Sequence, residues 1–568
     1  MKPKDFIYIL PLSFAFGAGF ASVQAGNWWI GFVSFSFLFL LSLSLLKFSI
    51  NYPGNVTLSD SEGSLSTKNE TLQSQKSLPQ SDMVVRTGKT LAWIVTLSFA
   101  LRLLVGVSLH LGLPIYGHED SEEDKAGYVF TDAHIRDDQA WMLASSERPI
   151  WDAFSRKFSS DQYGGLLAFS AFVYRYFSPD AQRPLMLIFL SAFVAALGVP
   201  FLWKAVNQTF GEKVAFAASW VFALYPESIL LGSSAMREPY LLTFSAMAFW
   251  GFVEWFSRAE RSEPIGERSR SAWVWLALGL LGMLLVSPAV ALAHLIIFAG
   301  WVFFTDERRS FSWRSILVFA VIFGAGLLFL SASLNRSGQF DSTSPLRVVN
   351  DWLKLAVQWD AYQLERGSGW VQKLFDEMPE WMRLPFVAVY GILQPVLPAA
   401  FFEPTKPIWQ VIYILRAAGW YALLPALVMS FGAAAGQGVS QKRAEHSRSV
   451  ILWLALLAWT WILLSALRGG GDSWDNPRYR TILFVWESIL AGYVWVWRRE
   501  TRNAWFERVI WCEVVFLLVF SQWYASRYLH WGGQLSFPVM VGLIAVLWGI
   551  ILGLGWWLDK KRARHASL

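Results

Sequence analysis

Apolar runs of about 20 residues recur from one end of this chain to the other. Each run is long enough to cross the roughly 30 Å hydrocarbon core of a bilayer as a helix. Charged residues make up only 16% of the 568 residues, whereas a soluble domain has about 25%. Membrane-spanning strands would be about ten residues long with alternating polarity, which these runs do not show. The sequence therefore predicts an all-α polytopic membrane protein.

The apolar runs predict a bundle of about fourteen spans. The predicted spans are residues 6–24, 28–48, 89–112, 183–203, 213–231, 238–256, 272–287, 289–305, 313–333, 408–431, 449–467, 481–497, 507–525 and 534–557. Two further apolar segments, 163–177 and 385–402, are interpreted as interfacial or re-entrant.

Charge bias between the spans predicts the orientation. The loops at 257–270, 306–314, 441–448 and 498–503 are basic, and so are both chain termini. Basic loops stay on the cytoplasmic side. All of them reach that side only if neither 163–177 nor 385–402 crosses. We therefore expect a multi-pass protein of the plasma (inner) membrane with both termini in the cytoplasm. The net charge of +6 then reflects topology and does not indicate nucleic acid.

The same pattern divides the chain into regions. We expect two N-terminal helices at 1–48 and a disordered cytoplasmic linker at 49–88, which is rich in small polar residues. A transmembrane catalytic core follows at 89–333, with its first outer loop at 113–182. Residues 334–407 are predicted to form an outer loop with a re-entrant segment, and 408–568 the C-terminal helices.

The first outer loop contains the segment GYVFTDAHIRDDQAWMLA, which carries Asp132, Asp137 and Asp138. A carboxylate that is partly desolvated at a membrane surface has a raised pKa and suits a general base. An ordinary solvated acidic loop is the alternative. The acidic run HEDSEED at 118–124 is interpreted as solvated surface.

Arg237 and Glu238 open a later span in the segment MREPYLLTF. The helix dipole favours negative charge at this position. A charge pair on the same side as the first loop is what a shared site requires, and an ion pair between neighbouring loops is the alternative.

Arg478 and Arg480 precede a span in GGGDSWDNPRYRTILF, on the face where the positive-inside rule does not place them. A guanidinium group suits phosphate binding, and snorkelling to lipid headgroups is the alternative. Arg416 lies within a span, which marks it as a candidate functional residue. Glu487 and Glu513 also lie in spans and are expected to pair with Arg416 or line an aqueous cleft. His294 is interpreted as a packed interior side chain.

Motifs for other chemistries are missing. The chain has no HExxH, no P-loop and no Rossmann glycine pattern, so ATP-driven transport and nicotinamide chemistry lose support. The single cysteine, Cys512, excludes a disulfide framework and a cysteine-based metal site.

Residues 89–330 resemble the GT-C class of integral-membrane glycosyltransferases, which includes protein O-mannosyltransferases and bacterial lipid A aminoarabinose transferases. RDDQAWMLA resembles the acidic pair of their first outer loop, although that pair is usually Asp-Glu. MREPYLLTF places Glu238 where the family has a second acid, usually Asp. DNPRYR resembles an outward arginine patch that receives lipid phosphate. The lack of a large soluble C-terminal domain favours a branch other than the oligosaccharyltransferases.

The resemblance implies a GT-C-like bundle that transfers a hexose or pentose from a polyprenyl-phosphate donor. The acceptor would be a hydroxyl of a lipid, glycan or protein on the extracytoplasmic face. Asp138 or Asp137 would act as the base, with Glu238 as a further catalytic acid. Phosphate would bind near these arginines: Arg237, Arg478, Arg480 and Arg416.

No cofactor is required by this scheme, although the three acids are able to ligate a divalent metal. Two alternatives stay open. One is a surface-polysaccharide polymerase or ligase, and the other is a transporter or flippase of lipid-linked sugars, which would show inverted repeats and broken helices.

Overall fold

The computed structural model describes residues 3–51, 80–155, 157–158, 164–260, 267–305, 378–436 and 444–566, with isolated positions between 306 and 377. The regular elements in these ranges are helices, and no strand occurs among them. The helices of the first half are α1 (Pro3–Val23), α2 (Trp28–Asn51), α3 (Gln80–Tyr116), α4 (Glu122–Lys125), α5 (Thr131–Ala144), α6 (Gly165–Phe177), α7 (Pro184–Phe210), α8 (Glu212–Leu224), α9 (Pro226–Gly232), α10 (Glu238–Glu260), α11 (Glu267–Val286) and α12 (Pro288–Thr305).

The second half continues with α13 (Glu380–Leu393), α14 (Leu397–Phe402), α15 (Pro407–Ala435), α16 (Ala444–Gly469), α17 (Asp475–Thr481), α18 (Phe484–Thr501), α19 (Ala504–Tyr528) and α20 (Phe537–Ala566). The all-α prediction is confirmed, and the apolar helices make the chain an integral membrane protein.

The described residues contain fewer helices that meet the criteria for a membrane span than the predicted fourteen. Within the described ranges, 7 helices are long and apolar enough to cross a membrane, or up to 8 if a bent pair counts as one span. Three shorter apolar helices add to these. The predicted span at 313–333 lies outside the described residues, so the count of fourteen is not confirmed.

The predicted span at 213–231 is broken. Helices α8 and α9 meet at an angle of 57°. Pro226 has no N–H to donate and disfavours the helical conformation of Tyr225 before it, and Tyr225 accordingly has φ −61° and ψ 119°. Arg102 donates to the carbonyl oxygens of Phe222 and Ala223 at 3.3 and 3.0 Å, which satisfies the end of α8.

Both ends of the predicted linker at 49–88 are helical. Residues 49–51 belong to α2 and residues 80–88 to α3. Residues 52–79 lie outside the described residues. Most of the predicted outer loop at 334–407 also lies outside them, and its described part contains α13 and α14.

The segment predicted as the first outer loop, 113–182, is largely helical in its described part. It contains α4, α5, a 3-10 turn at Ile150–Phe154 and α6. Helix α6 buries Leu167 and Tyr174 while Phe172 and Tyr176 stay exposed. An amphipathic helix of this kind suits the interfacial position predicted for 163–177.

Helix α10 runs from one end of the helical bundle to the other. Helix α10 starts at Glu238 and ends at Glu260, within the basic loop 257–270. At 1.5 Å per residue its length is about 34 Å, close to the thickness of a bilayer core. Glu238 therefore lies at the end of α10 opposite the basic loop 257–270, and Asp132 lies near it because both contact Arg478.

Candidate functional site

Arg478 lies at the centre of a cluster of carboxylates. Its guanidinium group is 2.7 Å from Asp132 Oδ2, 2.9 Å from Glu238 Oε1 and 3.6 Å from Asp475 Oδ1. These acids come from the first turn of α5, the first residue of α10 and the first residue of α17. One arginine thus joins three segments that are far apart in sequence.

The cluster is closed on one side and open on the other. The Glu238 side chain is 0% exposed, whereas those of Asp132 and Asp475 are 50% and 43% exposed. Each acid lies in the first turn of its helix, where the partial positive charge of the helix N-terminus favours a carboxylate. The open side is the part of the cluster that a substrate can reach.

Arg237 adds a second guanidinium group to the cluster. Its Nε lies 3.5 Å from Glu238 Oε1, and its side chain is 13% exposed. The charge of Arg136 also acts on Asp132, so three guanidinium groups compensate the three carboxylates of the cluster.

The pKa values of the two exposed acids are shifted in opposite directions. Burial raises the pKa of Asp132, but the guanidinium groups around it, with Arg478 the strongest, outweigh burial and hold the pKa below its ordinary value. Burial raises the pKa of Asp475, because Arg478 compensates it only in part. Asp132 is accordingly a carboxylate at neutral pH.

Asp137 lies in the middle of α5, and its carboxylate is enclosed by other side chains. Its carboxylate accepts hydrogen bonds from the Tyr174 hydroxyl at 2.6 Å, the Tyr128 hydroxyl at 2.5 Å and the Gln182 amide at 2.8 Å. The residue is 3% exposed. Burial raises the pKa of this carboxyl against the opposing effect of the three donors.

Asp138 is exposed and lies on a different face of α5 from Asp132. Its side chain is 58% exposed, 3.5 Å from His134 Nε2 and 3.1 Å from the Gln182 amide. At about 100° per residue, side chains six positions apart on a helix point about 120° away from each other. The structure therefore separates Asp138 from the face that meets Arg478.

The other two arginines predicted to bind donor have buried partners of their own. Arg416 forms two hydrogen bonds with Glu227, at 2.5 and 3.1 Å, and stacks on the Trp474 ring at 4.2 Å. Both side chains of the ion pair are 1% exposed. Arg480 donates to the Gln394 carbonyl at 3.0 Å and lies 3.3 Å from the centre of the Trp420 ring. These contacts favour structural roles for Arg416 and Arg480.

The predictions for other interior residues have mixed outcomes. His294 is 0% exposed and accepts from Trp486 Nε1 at 3.2 Å, so its packed role is confirmed. Glu487 and Glu513 do not pair with Arg416, whose carboxylate partner is Glu227.

The acidic run at 118–124 is not simply solvated. Asp124 is 3% exposed and accepts from the His118 backbone N–H at 2.6 Å and from Trp409 Nε1 at 2.9 Å. The His118 backbone N–H and the Trp409 indole are donors that a sequence pattern does not show.

Sequence reasoning missed several residues of the site. Asp475 carried a usable signal, because it lies three residues before Arg478 and such pairs meet on a helix. The sequence gave no signal for the donors around Asp137 or for the partner of Arg416. Apart from Tyr128, which is nine residues from Asp137, these residues lie dozens of positions or more from the residues that they contact. The donors are Tyr128, Tyr174 and Gln182, and the partner is Glu227.

No group of three or more His, Cys, Asp or Glu side chains arranged to hold a metal ion occurs among the described residues. In the Arg478 cluster a guanidinium group stands where the carboxylates converge. The carboxylates are therefore compensated by arginine in this structure.

Searches with the sequence found no matching family model and no matching curated protein. Among solved structures, the chain is similar to the archaeal oligosaccharyltransferase AglB from Archaeoglobus fulgidus in complex with an inhibitory peptide and a dolichol-phosphate. The identity is 14% and the TM-score 0.35, and the match covers 83% of this chain and 56% of AglB.

A second structure, the Archaeoglobus fulgidus oligosaccharyltransferase tethered to an acceptor peptide, matches with 12% identity and a TM-score of 0.36 over 81% of this chain and 53% of its own. The chain thus spans about half the length of both proteins. Both are GT-C glycosyltransferases, the class that the sequence was predicted to resemble. Because both TM-scores lie below 0.5, we base the proposed function on the chain's own residues.

Proposed function

We propose that the protein is a membrane glycosyltransferase that uses a sugar linked to a polyprenyl phosphate. The observation that carries this proposal is the Arg478 cluster. Asp132 of α5 and Glu238 of α10 both contact the guanidinium group of Arg478, which lies just before α18. The acidic pair, the second acid and the arginine patch of the GT-C resemblance all contribute to this region of the molecule or border it.

The arrangement of charges suits transfer of a glycosyl group. In the proposed reaction an acceptor hydroxyl forms a bond to the anomeric carbon while the bond from that carbon to the phosphate oxygen breaks. Positive charge develops on the sugar and negative charge on the leaving phosphate. Carboxylates stabilise the first and guanidinium groups the second, because fixed charges aimed at developing charge lower the barrier.

The proton of the acceptor hydroxyl goes to an exposed carboxylate in this scheme. Asp137 is enclosed by three donors, which leaves Asp132 and Asp138. We favour Asp132 over Asp138 because Asp132 shares Arg478 with Glu238. The hydroxyl proton becomes acidic as the new C–O bond forms, so a carboxylate with a low pKa accepts it late in the reaction.

Arg237 and Arg478 are the proposed phosphate-binding residues. Arg478 already contacts three carboxylates, so a phosphate would have to replace one of the two exposed partners, Asp132 or Asp475. Asp475, 3.6 Å away and 43% exposed, is the weakest of them. We propose that donor binding displaces Asp475 from Arg478.

A transfer assay in proteoliposomes tests the proposal. The purified protein is given radiolabelled polyprenyl-phosphate hexoses and pentoses with a membrane extract as acceptor source. Asp132→Asn is compared with Glu119→Gln, a matched control whose side chain is 93% exposed. We expect transfer by the wild type and the control but not by the variant. Equal transfer by all three would contradict the assignment of the site.

The extracytoplasmic location of the site is tested by labelling. In a Cys512→Ser background, cysteine is introduced at Ser121, beside α4, and at Ser64, in the predicted cytoplasmic linker. An impermeant maleimide is expected to label position 121 in intact cells and position 64 only after permeabilisation. Labelling with the reverse pattern would place the site on the cytoplasmic face.

A transporter or flippase of lipid-linked sugars is the second candidate. The broken helix pair α8–α9 favours it, because transporters often build substrate sites where helices are interrupted. A fluorescent polyprenyl-phosphate sugar reconstituted in vesicles distinguishes the two. Movement between leaflets without formation of a glycosylated product supports transport, and product formation supports transfer. A polymerase or ligase would show product only with a lipid-linked glycan acceptor.

A further inference from the structure

The Asp137 carboxylate has nearly all of its hydrogen-bonding capacity in use. A carboxylate has about four acceptor positions, and three are taken by Tyr128, Tyr174 and Gln182 at 2.5 to 2.8 Å. With 3% exposure there is little room for an acceptor hydroxyl to approach. A buried carboxylate with three hydrogen-bond donors is suited to fixing the segments that supply those donors.

The three donors tie α5 to different parts of the fold. Tyr128 lies just before α5, Tyr174 lies near the end of α6, and Gln182 lies just before α7. The hydrogen bonds therefore fix α5 against the interfacial helix and against α7, of whose span 89% is buried. Charge-assisted hydrogen bonds of this kind are stronger than neutral ones.

The neighbouring residue, Arg136, fixes a second side of the same helix. Arg136 Nη2 donates to the Ala235 carbonyl at 2.9 Å, three residues before Glu238. Adjacent side chains on a helix point about 100° apart, so Arg136 and Asp137 hold α5 on two sides. Together they set the rotation of α5 about its own axis.

That rotation decides where Asp132 points. Asp132 lies four residues before Arg136, so both occupy the same face of α5, and Asp132 meets Arg478 at 2.7 Å. A rotation of α5 by one residue, about 100°, would carry Asp132 away from Arg478 altogether.

We propose that Asp137 is a positioning residue that locks the rotation of α5 and thereby holds Asp132 against Arg478. The acidic pair then has divided tasks, since Asp137 orients the helix while Asp138 stays exposed to solvent. The inference rests on the proposed function only for its activity readout.

Removing the donors while keeping the carboxylate separates positioning from chemistry. The double variant Tyr128→Phe/Tyr174→Phe retains Asp137, and Asp137→Asn removes its charge. Tyr176→Phe is the matched control, because this tyrosine is also on α6 but is 62% exposed. If Asp137 positions α5, both test variants lose transfer activity by about 10²-fold, as expected when reacting groups are displaced by about 1 Å, and the control does not.

A catalytic base predicts a different pattern. Losing the tyrosine donors would raise the pKa of a base further and move the acidic limb of the pH–rate profile to higher pH. A positioning residue leaves the shape of that profile unchanged. An upward shift of the acidic limb in the tyrosine double variant, with activity retained at its new optimum, would overturn the proposal.

Amide hydrogen exchange gives a readout that does not depend on activity. In both test variants the amides of residues 131–144 are expected to exchange roughly ten- to a hundred-fold faster, because the anchoring hydrogen bonds are lost, while α10 and α18 keep their protection. Unchanged exchange in α5 would overturn the positioning role. If the wild-type protein transfers no sugar but exchange in α5 is still faster in the variants, the positioning role is supported and the proposed function is contradicted. Where Asp137→Asn does not fold, Tyr128→Phe alone carries the test.

Discussion

Two buried arginines near the same end of the bundle are compensated in different ways. Arg416 meets one carboxylate, Glu227, and both side chains are 1% exposed. Arg478 meets three carboxylates, and two of them are about half exposed. The first pair is closed to water, whereas the second cluster has several acidic partners and an open side.

The difference separates structure from function. A closed ion pair has no position for a ligand, and loss of one partner leaves an uncompensated buried charge. An open cluster allows a carboxylate to exchange its guanidinium contact for a substrate. We therefore expect changes in the Arg416 pair to reduce stability, and changes in the Arg478 cluster to reduce activity.

The largest effect is expected for Asp132→Asn. The substitution keeps the shape of the side chain and removes its charge, so transfer should fall by about 10²- to 10⁴-fold. Because the side chain is 50% exposed, the free energy of unfolding should change by less than about 1 kcal/mol. Transfer rates and unfolding in detergent are measured on the same preparation, and a variant that loses stability in step with activity would remove the contrast.

Arg416→Met is expected to have the converse effect. It leaves Glu227 buried without its guanidinium partner, which should reduce the free energy of unfolding by about 3–5 kcal/mol. The double variant Glu227→Gln/Arg416→Met removes both charges and should recover much of that loss. Denaturant unfolding of the four proteins forms a double-mutant cycle. If the double variant is as unstable as the sum of the single ones, the pair is not a closed unit.

Arg478→Lys is expected to have an intermediate effect on activity. Lysine keeps the charge but not the planar fork that reaches both Asp132 and Glu238. The loss of about one charge-assisted hydrogen bond, worth about 1.5 kcal/mol, should reduce donor use roughly tenfold. Arg499→Ala, at the other end of the bundle, is the control. Wild-type use of the donor by the lysine variant would show that the fork is not needed.

The smallest effect is expected in the pH dependence of stability. The lowered pKa of Asp132 means that its contribution is present above the unfolded value of about 4 and is lost as pH falls through the folded value. The melting temperatures of wild type and Asp132→Asn should differ by a constant amount from about pH 5 to 8, and the difference should decrease below about pH 4.

Asp475 has the opposite sign. Its raised pKa means that its contribution is present at low pH and is lost as pH rises through the folded value. Asp475→Asn should therefore leave stability near neutral pH unchanged or slightly higher. A marked loss of stability near pH 7 would show that Asp475 is a firm partner of Arg478 rather than the one that a donor displaces.

The amino-acid sequence by itself determined the class of the protein and the positions of most helices. Spans predicted at 28–48, 183–203 and 408–431 correspond to helices α2, α7 and α15. They were predictable because a run of about 20 apolar residues has few alternatives in a bilayer, where the backbone must satisfy its own hydrogen bonds. The sequence also identified Glu238 and Arg478 as residues of interest.

Only the tertiary structure decided which charges meet. Asp132 rather than Asp138 contacts Arg478, and Arg416 pairs with Glu227, 189 positions away in sequence. Local patterns give the spacing of residues along one helix, but the rotation of each helix depends on what packs around it. The rotation of α5 depends on donors from other segments. For this reason the sequence indicated an acidic segment, but only the tertiary structure showed that Asp132 is the acid of α5 that contacts Arg478.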